Sequence, residues 1–79
     1  MECIWKCILP MKKGIFDNDY YFYDDGSIMH CYDKSIKKYN IEEFILPVEI
    51  TERDRQAILD KINECPDQWQ DFIKNLLKI

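Results

Sequence analysis

The sequence predicts an α+β fold: a three- or four-stranded antiparallel meander, a short helical turn, and a C-terminal two-helix hairpin packed on one face of the sheet. Three observations predict it. Residues 19–32, Asp-Tyr-Tyr-Phe-Tyr-Asp-Asp-Gly-Ser-Ile-Met-His-Cys-Tyr, read as a β-hairpin. Trp69, Phe72, Ile73, Leu76 and Leu77 recur at the spacing of one apolar helix face. The strand signals precede the helix signals instead of alternating with them, as in folds that segregate helices from an antiparallel sheet.

The length allows one domain over residues 1–79: a β-meander over 1–34, a linker or short helix over 36–46, and helices over 51–64 and 66–78. Residues 3–9 form the first expected strand, with Cys3, Trp5, Cys7 and Leu9 on one face and Ile4, Lys6 and Ile8 on the other. Pro10 ends it, because proline cannot donate to a ladder. Residues 11–14 read as a turn, and Ile15 and Phe16 as the start of the next strand.

In the hairpin, the aromatic run 20–23 favours extended backbone, where aromatic side chains fit a pleated surface. Asp24, Asp25 and Gly26 supply the turn, Gly26 taking a positive φ without steric cost. A three-residue loop pairs Tyr23 with Ser27, and a two-residue loop pairs Asp24 with Ser27. The first register is preferred. It groups Tyr20, Phe22, Ile28, His30 and Tyr32 on the core face, and Tyr21, Tyr23, Met29 and Cys31 on the other. Both faces are rich in apolar groups, so both call for cover.

Asn40 followed by Glu43 has the capping-box spacing, which predicts a short helical turn before Pro47. Thr51 caps the next helix, with Glu52 and Asp54 in its first turn and Ile58, Leu59 and Ile62 as its buried stripe. Cys65-Pro66 breaks that helix, and Pro66 is expected at the first position of the last one.

The formal net charge is −4, and all the excess lies in the second half, where residues 41–79 carry nine acids and five bases. That disfavours phosphate-backbone binding, which needs clustered Lys and Arg. It suits a protein partner with a basic surface. The apolar run at 3–9 is broken by Lys6 and does not read as a signal peptide, and no apolar stretch nears the ~20 residues that span a bilayer. Twelve Ile, and nine Lys against two Arg, suggest A/T-rich codons and hence a low-GC bacterial or phage genome, and the expected location is the cytoplasm of the bacterial host cell.

No catalytic site, cofactor site or metal site is read from the chain. Cys3 and Cys7 on a strand stand roughly 13 Å apart, too far for one tetrahedral zinc, and buried reduced thiols account for the four cysteines. His30 and Cys31 are neighbours on opposite strand faces, which separates them as a nucleophile pair. The aspartates do not follow a calcium-loop spacing.

What remains is an interaction surface. Tyr21, Tyr23 and Met29 are typical interface anchors on the second sheet face. Asp24, Asp25, Glu52, Asp60 and Glu64 are the acids expected to steer a basic partner. The functional expectation is a small non-catalytic protein-binding module, an inhibitor carried by a phage or mobile element or an immunity protein that blocks a toxin. The alternatives are a homodimeric structural module and a single-stranded nucleic-acid-binding accessory, the latter lacking the positive field such sheets use.

Overall fold

The computed structural model describes residues 1–9, 18–33 and 40–78. Pro10, the turn expected at 11–14, the strand start at Ile15 and Phe16, and residues 36–39 lie outside the described residues. The chain forms a four-stranded antiparallel meander of β1 (Cys3–Ile8), β2 (Asn18–Tyr23), β3 (Ile28–Tyr32) and β4 (Ile41–Ile45), in that spatial order. A 3-10 turn at Pro47–Glu49 leads to α1 (Glu52–Asp60), a second 3-10 turn at Ile62–Glu64, and α2 (Asp67–Leu77). The expected helix 51–64 is thus a nine-residue α-helix with a tighter last turn.

The hairpin takes the three-residue loop. The Tyr23 amide donates to the Ser27 carbonyl at 3.0 Å, and the Gly26 amide donates back to the Tyr23 carbonyl at 3.0 Å. Gly26 has φ +90°, the conformation glycine adopts freely. In the resulting register Tyr20 faces His30, Tyr21 faces Met29 and Phe22 faces Ile28.

Two local expectations are corrected. Cys3 pairs with Tyr23 while Trp5 pairs with Phe22, so Ile4 is an extra residue in a β-bulge. The bulge turns Cys3 away from Trp5, Cys7 and Leu9, which are buried, and leaves Cys3 exposed. Residues 36–46, read as a linker or short helix, contribute a strand over 41–45. Asn40 is no helix cap. It has φ +54°, and its amide donates to Asp33 Oδ1 at 2.8 Å, which turns the chain into β4. The helical turn comes after it, with Pro47 at the first position and the Leu46 amide held by Glu49 Oε2 at 2.6 Å.

The helices cover the face of Tyr20, Phe22 and Ile28. Those three meet Trp5 and Cys7 from β1, Leu9 just after it, Ile58 and Ile62 from the α1 side, and Ile73 and Leu77 from α2 in one buried cluster. Thr51 caps α1, its Oγ1 accepting from the Asp54 amide at 3.2 Å. Pro66 is the N-cap of α2, one position earlier than expected. The hairpin tip rests on the same layer, since a Cβ at Gly26 would stand 3.7 Å from Leu76 Cδ2 and 4.0 Å from Phe72 Cζ.

Candidate interaction surface

Period-two alternation sends every second strand residue to the face away from the helices. Cross-strand pairing then builds rows on that face. One row runs Lys6, Tyr21, Met29, Phe44, and the next runs Ile8, Asp19, Cys31, Glu42. The first is the aromatic centre. Lys6 Nζ lies 5.1 Å from the Tyr21 ring centroid, a cation–π distance. Tyr23, one step along β2, meets the Phe44 ring at 5.9 Å between centroids. Tyr21, Tyr23 and Met29 are half-buried by these neighbours, whereas Ile8 is 56% and Phe44 55% exposed.

The sequence reading missed the most exposed apolar stretch, which adjoins this surface at Phe44. Among the described residues five large apolar side chains are exposed, and three of them, Phe44, Leu46 and Val48, fall within one short stretch. Their i, i+2, i+4 spacing was the available signal, obscured by reading Asn40 as a helix cap. A groove of about 390 Å3 opens beside them, bounded by the hairpin tip at Asp25 and by Phe44, Leu46, Pro47 and Glu49.

The expected acids are distributed differently from the aromatics. Asp24 Oδ1 accepts from the Glu2 amide and Asp25 Oδ1 from the Ser27 amide, both at 2.9 Å, so Asp24 ties the start of the chain to the turn and Asp25 shapes the turn itself. The bond from Ser27 holds the Asp25 carboxyl below its ordinary range. On the helix layer, Glu52 pairs with Arg55 Nη1 at 2.7 Å, Asp60 accepts from Gln56 Nε2 at 3.2 Å, and Glu64 lies 3.8 Å from Lys61 Nζ. The sheet therefore separates Glu52, Asp60 and Glu64 from Tyr21, Tyr23 and Met29, and their charges are partly answered within the helix layer.

A polar cluster joins the two layers on the covered face. Asp54 Oδ2 accepts from the Tyr20 hydroxyl at 2.7 Å and from Asn18 Nδ2 at 3.1 Å. Asn18 presents its Oδ1 to His30 Nε2 at 2.5 Å, so His30 carries its proton on Nε2. The imidazole is stacked between Tyr20, at 4.3 Å, and Tyr32, at 4.5 Å. Burial lowers the His30 pKa, against the opposing pull of Asp54, Glu43 and Asp19. Burial, with the bond to Asp54 second, raises that of Tyr20. With Asp54 Oδ2 already holding two donors and both imidazole faces covered, the cluster is arranged to fix sheet against helix.

All four cysteines are free. Burial pushes the Cys7 thiol up to about 11. Among the described residues no group of three or more His, Cys, Asp or Glu is placed to hold a metal ion, and no helix is long and apolar enough to cross a membrane. No family model matches the chain, and no curated protein or solved structure is significantly similar to it.

Proposed function

We propose that this protein is a protein-binding module that docks a partner on the sheet face away from its helices. The exposed Phe44 ring beside Tyr23, in the row that continues through Met29 and Tyr21, carries the reading. Aromatic and Met side chains at the centre of such a face bury large area while losing few torsions, as interface anchors do. The small size and net charge of −4 suit a blocking role against a basic protein in a bacterial cytoplasm, that of an inhibitor or an immunity protein.

Panning a displayed library of small protein domains on the immobilised wild type, Tyr23→Glu and Phe44→Ala tests this. Lys74→Ala, on exposed α2 surface, is the control. Binders retained by Lys74→Ala and lost by both face variants, with unchanged far-UV circular dichroism, support the reading. Light scattering supplies the counter-test. A mass near twice 9.6 kDa that falls to the monomer in Tyr23→Glu would give the face to a second copy and overturn the foreign-partner reading.

A further inference from the structure

The outer edge of β4 and the groove at its end define what the partner presents. Strand order places β4 at the sheet margin, so among the described residues only β3 pairs with it. In an antiparallel ladder alternate residues direct their amide and carbonyl groups outward, and these outward groups are a template for one more strand. Glu42 and Glu43 project to opposite faces of this edge, and both are exposed. Glu49 and Asp25 stand at the groove beside Phe44, Leu46 and Pro47. Residues 40–52 contain no Lys or Arg. The most exposed apolar stretch of the described chain is therefore also rich in carboxylates.

These charges select among occupants. A second copy pairing antiparallel through β4 in a register centred on Glu42 or on Glu43 would set that acid directly against its own copy, and like charges across a strand pair repel. The same acids favour a strand that carries bases, because discrimination arises from the repulsive alternative as much as from the attractive one. We infer that the partner docks an extended segment along β4 as a fifth strand, with an apolar side chain against Phe44 and Leu46 and a Lys or Arg directed toward Asp25 and Glu49. Main-chain bonds to the edge supply affinity, and the groove and acids supply selection. This inference rests on the protein-binding reading and specifies its partner.

The test is to pan a displayed library of random peptides about twelve residues long, then to titrate a selected synthetic peptide into labelled protein by NMR. Apolar residues alternating with Lys or Arg should be enriched, with amide shifts concentrated in residues 41–49. Phe44→Ala should weaken the peptide roughly tenfold. Asp25→Asn with Glu49→Gln keeps both turn hydrogen-bond acceptors and removes two charges. That pair should weaken binding about fivefold at low salt, with the difference shrinking as salt rises.

Neutral or acidic peptides, or equal affinity for the charge-neutral double variant, would overturn the inference. Peptides that shift Tyr21 and Met29 but leave the β4 edge unmoved would also overturn it while leaving the protein-binding module in place. A panning result with no binders, together with a dimer that Tyr23→Glu dissociates, would remove both.

Discussion

The Tyr20 hydroxyl on β2 lies 2.7 Å from Asp54 Oδ2 on α1, a hydrogen bond between two buried side chains that ties the sheet to the helix layer. Tyr20→Phe leaves the carboxylate with Asn18 as its remaining buried donor, and should cost about 1–2 kcal/mol in urea unfolding. Asp54→Ala strands two buried donors and should cost about 2–3 kcal/mol. The double variant should cost less than the sum, with a coupling near ~1 kcal/mol. Strict additivity would show that the bond contributes nothing specific.

Acid should weaken the fold through His30. Burial lowers its pKa in the native state, so the unfolded chain takes up the proton more readily. This contribution is fully present above the unfolded value near 6.5. It is lost as the pH falls from there through the lower folded value. The urea midpoint should drop between about pH 7 and pH 5 by more in wild type than in His30→Gln. Equal slopes would show that carboxylates alone govern that range.

The four thiols should separate by accessibility. Cys3 is exposed by the bulge, Cys31 is half-buried, and Cys7 and Cys65 are each 2% exposed. Iodoacetamide labelling followed by peptide mass spectrometry should modify Cys3 first, and Cys7 and Cys65 only with unfolding. Because the Cys7 pKa is raised from 9.0 to about 11, its contribution to stability should fade as the pH climbs through that interval. Early labelling of Cys7 would contradict the register of β1.

Gly26→Ala should destabilise by about 1–2 kcal/mol, since an L-residue is strained at φ +90°. Crowding is not the cause, because a Cβ there meets Leu76 and Phe72 at ordinary contact distance. Thermal melts should show Gly26→Asn retaining more stability than Gly26→Ala, as Asn tolerates positive φ better. The reverse order would place the cost in packing.

The parts of the fold legible in the sequence are those written locally. The Asp24-Asp25-Gly26 loop set the hairpin register, and the stripe from Trp69 to Leu77 set α2. What escaped reading depended on distant partners. Ile41 to Ile45 is a strand because β3 offers it an edge, a contact that the local cap pattern at Asn40 does not encode. Cys3 faces outward because Ile4 is inserted opposite the β2 ladder. Asp54 reads as a first-turn acid, which it is, yet Asn18 and Tyr20 also draw it into the core. In the candidate surface, Tyr21, Tyr23 and Met29 share a face as expected, while the exposed Phe44, Leu46 and Val48 were hidden by the misassigned strand.

The sequential order of the strands has a kinetic consequence. Every pairing in the sheet joins chain neighbours, so assembly can begin at the tight loop around Gly26 and extend outward to β1 and β4 with short closures. On a ribosome all four strands leave the exit tunnel before residue 52, and the sheet can zip while the helices are still inside it. During that interval the future core face, Tyr20, Phe22 and Ile28, is as bare as the opposite one. Arrival of α1, with Asp54 reaching Tyr20, then distinguishes the two sides of the sheet.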